Sequence, residues 1–138
     1  MINIPAAVRD QVLEHVLQGF PNEACGLLAG HILDGTGDAA AQTFYPMTNA
    51  DASPVTYRLD PKEQLQAFDL IEGSGLDLVG IVHSHTHSEA YPSETDRKQA
   101  FYPDAHHLLV SLSDRNNPVL RAFTIHDGLV EEQDVTIT

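Results

Sequence analysis

Apolar residues recur at helical spacing near the start of the chain. Val8, Val12, Leu13, Val16 and Leu17 fall on one stripe, with Pro5 in the first turn and Gly19 as the stop. Residues 23–30 (EACGLLAG) are short and apolar with two glycines, which predicts a buried strand. Residues 31–41 are rich in small and turn-forming side chains and predict a loop; 42–48 reads as a second strand and 55–59 as a third, weaker one. A second helix starts at Asp60 as N-cap, with Pro61 at the first helical position and Glu63 at the third; Leu65, Phe68 and Ile71 make its inward face and Gly73 and Gly75 stop it. Residues 76–82 (LDLVGIV) predict a central strand, and Pro92, Ser93 and Asp96 open a third helix that ends near Tyr102 and Pro103. A strand over 107–113, a turn over 114–118, and a hairpin of 119–125 with 129–137 about His126, Asp127 and Gly128 complete the chain. Alternating strands and helices predict an α/β fold with a mixed sheet covered by helices.

Composition narrows the function. The chain has 138 residues, 42% of them hydrophobic, which fits a single domain over 1–138. Seven Lys and Arg stand against 20 Asp and Glu, a formal net charge of −13, and the acidic residues are spread along the chain. That field repels phosphate backbones and anionic lipid, so no nucleic-acid or membrane partner is expected, whereas metal cations and basic protein surfaces are attracted. One cysteine, Cys25, excludes an intramolecular disulfide and fits a reducing compartment. Arg9, Asp10, Glu14 and His15 interrupt the only candidate signal segment, and no stretch approaches a membrane span, so a cytoplasmic protein is expected.

The chemistry concentrates in His83-Ser84-His85-Thr86 and, after seven intervening residues counted from His85, Ser93 and Asp96. On a strand end, His83 and His85 are two apart and point the same way. With Asp96 they form a two-histidine, one-carboxylate set that suits one zinc ion per chain; three protein ligands leave a position open, as in catalytic sites. Ser93 and Asp96 also match a capping box at a helix start, which is the alternative reading of that pair. Hydrolysis further needs a base within reach of the attacking water. Glu23, a carboxylate at the head of an apolar strand, is the candidate; an exposed strand-end residue is the alternative. His87 reads as an exposed loop histidine, His106 and His107 as structural residues at a strand start, and Cys25 as a small buried hydrophobe.

His83-Ser84-His85, Ser93 with Asp96, and the upstream Glu23-Ala24-Cys25-Gly26 closely resemble the JAMM (MPN+, JAB-domain) metallopeptidase family. Pro46-Met47-Thr48-Asn49-Ala50, Tyr57-Arg58-Leu59-Asp60, Glu89-Ala90-Tyr91-Pro92-Ser93 and Pro103-Asp104-Ala105-His106 look like its bacterial Mec-type branch, so the resemblance covers nearly the whole chain. It implies a cytidine-deaminase-like sheet between helices, zinc on His83, His85 and Asp96, Glu23 as general base and Ser93 as oxyanion stabiliser. It also implies a substrate: a small ubiquitin-like sulfur-carrier protein ending in Gly-Gly, trimmed of cysteine or a short extension in sulfur transfer and cysteine biosynthesis. If one residue is removed, its terminal carboxylate needs a cation, for which Arg58 is the choice. One departure is Thr86, where most of the family has proline, which bears on the shape of the following loop. Other readings are a deubiquitinase-like isopeptidase or a non-catalytic scaffold of the same fold. A RadC-like protein is disfavoured, since its HNHPSG signature is absent.

Overall fold

A computed structural model describes residues 1–33 and 35–138; Asp34, inside the loop predicted over 31–41, lies outside the described residues. The elements in chain order are β1 (Ile2–Ile4), α1 (Ala6–Gly19), β2 (Cys25–Ile32), β3 (Ala39–Met47), α2 (Pro61–Gly73), β4 (Asp77–His85), α3 (Glu94–Lys98), β5 (His106–Ser111), β6 (Val119–His126), β7 (Leu129–Gln133) and β8 (Val135–Ile137). The strands make one mixed sheet in the order β7-β6-β5-β4-β2-β3-β1-β8. Val8, Val12 and Val16 of α1 pack on one face with Leu28, Val82, Leu108 and Val110. On the other, Ala67 and Phe68 of α2 pack with Cys25, Leu27 and Ile81. The mixed sheet between helices is the expected fold class, and coverage on both faces explains why β4 reads as a continuous apolar run. No helix among the described residues is long and apolar enough to cross a membrane.

Two features place the functional end of the sheet. β4 and β5 run parallel, with α3 in the crossover, so their C-terminal ends lie side by side; Leu112 N–H donates to the His85 carbonyl at 2.8 Å. β2 is antiparallel to β4 with Cys25 opposite His83. A reciprocal pair of bonds extends this pairing by one residue: Ser84 N–H donates to the Ala24 carbonyl (3.0 Å) and Ala24 N–H to Ser84 Oγ (2.9 Å). Glu23 is thereby carried to the end of β4. Gly26 is required here, because a Cβ on it would sit 2.7 Å from the Tyr45 carbonyl oxygen of β3.

The structure corrects several sequence expectations. β2 and β3 extend into the stretch predicted as loop over 31–41, since Ile32 pairs with Ala39 and His31 with Ala40. Residues 55–59 form no strand; their one ladder contact is an isolated bridge between Asn49 and Leu59. The third helix stops at Lys98 because it buries no residue, while Tyr102 is drawn instead onto α2, its hydroxyl accepting from Gln64 Nε2 (3.1 Å). Leu65 is 64% exposed and Ala67 and Ile71 carry the inward face of α2. The last predicted strand breaks at Asp134: β7 pairs with β6, whereas β8 pairs with β1 at the opposite edge of the sheet. Since one residue separates β7 from β8, the two edges converge at this point, and the sheet must be strongly curled. β1 went unread because three residues carry too little periodicity.

Candidate metal centre and the groove beside it

His83 and His85 leave the C-terminal end of β4, and Asp96 stands in the first turn of α3. Their donor atoms converge. His83 Nε2 lies 3.2 Å from His85 Nε2, and Asp96 Oδ2 lies 3.2 Å from His83 Nε2 and 3.1 Å from His85 Nε2. His85 Nδ1–H donates to the Glu89 carbonyl at 2.8 Å, which in the neutral ring leaves Nε2 as a bare lone pair. A single proton on His83 Nε2 would then satisfy at most one of these three contacts, leaving lone pairs facing each other in the rest. A cation resolves the conflict. Ligand atoms of a tetrahedral zinc with bonds of about 2.0 Å stand about 3.3 Å apart, so the spacing and the donor types fit this metal. His83 is fully enclosed and stacked on Tyr57, ring centroids 4.3 Å apart, and its Nδ1 has no partner.

The charges are those of a mutually bonded set: burial works to lower His85, but its bonds to Asp96 and to the Glu89 carbonyl outweigh it and raise the ring. Burial works to raise the Asp96 carboxyl, but hydrogen bonds from both histidines and from Ser93 N–H outweigh it and hold the group well below the usual carboxylate range. Burial pushes His83 down towards the neutral form that binds metal. The capping box is present as well. Ser93 Oγ accepts from Asp96 N–H (3.0 Å) while Asp96 Oδ2 accepts from Ser93 N–H (2.9 Å). The two readings of this pair are thus compatible: the cap aims Oδ2 at the histidines, and the Ser93 hydroxyl proton remains free.

Glu23 is buried, at 6% exposure, and not an exposed strand end. Burial pushes its carboxyl up to about 7, opposed by His85 and reinforced by Asp96. Both of its backbone groups are held by the segment that follows β3. Glu23 N–H donates to the Ser53 carbonyl (2.8 Å) and Asn49 Nδ2 donates to the Glu23 carbonyl (2.9 Å). Asn49 also donates to the Thr56 carbonyl and accepts from Asp51 N–H and Arg58 N–H through Oδ1. That uses the full bonding capacity of an asparagine side chain and explains why 49–58 keeps its shape without a strand. Asn49→Ala is expected to cost roughly 2–3 kcal/mol in urea unfolding; unchanged stability would remove Asn49 from this role.

Thr86 ties the other loop to the same segment. Its hydroxyl donates to the Pro54 carbonyl (2.8 Å) and accepts from His87 Nδ1–H (2.9 Å). A proline there could make neither bond. His87 is exposed, as expected, and touches Phe20. His106 is buried. Cys25 is buried and its thiol is pushed up to about 12 by burial, which suits a small hydrophobe.

A groove of about 240 Å³ runs beside the triad, lined by Tyr57, Arg58, Leu59, Phe101, Tyr102 and His107 among others. Burial pushes His107 down to about 4, so its ring is neutral at physiological pH. Arg58 is brought to the groove beside Tyr57, 60% exposed and 3.4 Å from Asp51 Oδ1. Sequence reasoning missed Asn49, Thr86 and Glu89 as site-building residues. Asn49 carried a signal, since asparagine in a short polar stretch is an Asx-turn former; Glu89 acts through its carbonyl and carried none.

Residues 5–126 match the family model described as prokaryotic homologs of the JAB domain. The chain belongs to this family. It is 43% identical over 134 residues to the CysO-cysteine peptidase of Mycobacterium tuberculosis, covering 97% of this chain and 89% of that one. It is 39% identical over 115 residues to the desampylase of Haloferax volcanii, covering 80% of each. A solution structure of a Desulfitobacterium hafniense protein superposes with a TM-score of 0.89 at 36% identity, over 100% of this chain and 93% of that one.

Proposed function

We propose that this protein is a zinc-dependent peptidase that hydrolyses the bond after the C-terminal Gly-Gly of a small ubiquitin-like sulfur-carrier protein, releasing cysteine or a short extension. The observation that carries the reading is the convergence of His83, His85 and Asp96 within 3.2 Å of one another. The buried carboxylate of Glu23, brought to the same strand end, supports it. The likeness to a relative named for a CysO–cysteine substrate supports the choice of carrier.

His83 Nε2, His85 Nε2 and Asp96 Oδ2 would hold the zinc, which would supply Lewis acidity and bring the pKa of a water to near 7. Glu23 takes a proton from the attacking water, which adds to the scissile carbonyl carbon. Burial pushes this carboxyl above the usual carboxylate range, which helps a group that must accept a proton and then release it. The Ser93 hydroxyl donates a hydrogen bond to the carbonyl oxygen as charge develops there. Glu23 then passes the proton to the departing amine as the C–N bond breaks. A glycine-rich tail fits the groove of Tyr57, Leu59 and Phe101, because residues without Cβ allow the backbone to approach closely. Arg58, which lines this groove and is 60% exposed, would be the cation that meets a terminal carboxylate.

Mass spectrometry of a carrier–cysteine adduct incubated with the enzyme tests this reading. Chelator-sensitive loss of one cysteine, leaving a free Gly-Gly end, is the expected result. No cleavage of such adducts alongside cleavage of isopeptide-linked conjugates would overturn it in favour of the isopeptidase, the reading to which the Haloferax volcanii desampylase points. No cleavage of any of these would indicate the non-catalytic scaffold.

A further inference from the structure

The two histidines are held by different means. His83 is fixed by its stack on Tyr57 and has no partner at Nδ1. His85 depends on one acceptor, the Glu89 carbonyl. That carbonyl belongs to a stretch without helix or strand between His85 and α3, so no ladder holds it. It must be placed by side chains.

The side chains are Ala90 and Tyr91. Ala90 is 2% exposed and packs in a small cluster with Leu109 and Phe123. Tyr91 meets Phe123 edge to face, ring centroids 5.4 Å apart at 77°. The Arg121 guanidinium lies over both rings, 5.1 Å from the Phe123 centroid and 6.0 Å from that of Tyr91. Arg121 is itself locked by two bonds to Glu132 on β7, at 2.9 and 2.8 Å. Tyr91 N–H donates to the same Glu89 carbonyl oxygen that accepts from His85, at 2.9 Å. Ser111 Oγ anchors the preceding residue by donating to the Ser88 carbonyl. The row continues across the sheet, with His83 opposite Leu109 and Leu109 opposite Arg121.

We propose that Tyr91, pinned between Phe123 and Arg121, is a positioning residue that holds the Glu89 carbonyl against His85 Nδ1 and so fixes His85 with Nε2 free to ligate. The proposal rests on the reading of His85 as a ligand for its metal consequence, but the tautomer of His85 is set by Glu89 with or without an ion. The ring does this work. Among the described residues the Tyr91 hydroxyl makes no hydrogen bond, and the side chain is 43% exposed, so its removal need not unfold the protein.

The experiment compares wild type with Tyr91→Ala, Tyr91→Phe and Arg121→Met. Two quantities are read: the zinc dissociation constant by competition with a chromophoric chelator, and the ring ¹⁵N shifts of His85 in zinc-free protein. Tyr91→Ala is expected to weaken zinc roughly tenfold or more and to give His85 a mixture of tautomers. Tyr91→Phe should restore both values to those of wild type. Arg121→Met should weaken zinc by roughly two- to fivefold, the worth of one cation–π contact. Zinc affinity within twofold of wild type in Tyr91→Ala, with Nδ1–H of His85 retained, would overturn the proposal. If wild type itself failed to bind zinc, the metal reading would fall, and the His85 shifts alone would decide the positioning role.

Discussion

Glu23→Gln is expected to lower turnover of the carrier–cysteine adduct by roughly 10²–10⁴-fold while leaving zinc content unchanged. Glutamine keeps the shape of the buried side chain but cannot take a proton. Its backbone anchors, the bonds to Ser53 and Asn49, do not involve the side chain and survive. The variant also has a stability signature independent of catalysis. In the folded, metal-free protein, burial raises the Glu23 carboxyl from 4.5 to about 7. Between those values the folded state binds more proton than the unfolded state, so wild-type stability falls as pH rises through this window, and the cost is constant above it. The amide carries no such cost. The stability advantage of Glu23→Gln over wild type should therefore grow by about 2–3 kcal/mol between pH 5 and pH 8 in metal-free urea unfolding. A bound cation pulls the carboxyl back down, because an opposite charge favours ionisation. The acid limb of kcat/KM for the zinc-loaded enzyme should consequently lie below 7. Near-normal turnover in the variant, or an advantage that does not change with pH, would remove Glu23 as the buried base.

The parts legible in the sequence are those whose cause is local. The valine stripe of α1, the Asp60-Pro61 start of α2 and the apolar run of β4 each follow from a period or a cap, and each lies where expected. The triad was legible because two residues on one strand end and one in the first turn of a helix need little tertiary knowledge to be brought together. What stayed hidden was set by distant partners. Nothing local to 129–137 says that pairing moves from β6 to β1 at Asp134; the sheet edges must first converge. Residues 55–59 carry strand-forming side chains, yet the backbone of that segment is held at Thr56 and Arg58 by the side chain of Asn49. Leu65 has the right spacing for the inner face of α2, but Ala67 and Ile71 set the rotation of the helix against β4. The support of the site was hidden for the same reason: Glu89 acts through its carbonyl, and Thr86 and Tyr91 through contacts more than ten residues away.

Asp96 offers the sharpest separation of fold from chemistry, because on the proposed reading one oxygen would serve both. Asp96 Oδ2 accepts from Ser93 N–H at 2.9 Å in the capping box and stands 3.1–3.2 Å from both histidine Nε2 atoms. Asp96→Asn keeps an amide oxygen that can accept from Ser93, and Asp96→Ala does not. The cap contributes about 1 kcal/mol, so in zinc-free protein the alanine variant should be less stable than the asparagine variant by that amount. For the metal the two should be alike. Each removes the only anionic donor of the His83, His85 and Asp96 set, and each should lose zinc by a factor larger than the roughly 100-fold that outer contacts command, with turnover lost in parallel. Elemental analysis after gel filtration, beside unfolding curves in chelator, reads both quantities on the same samples. Stoichiometric zinc retained by Asp96→Asn would mean that Asp96 is a helix cap alone, and the metal would have to be sought elsewhere.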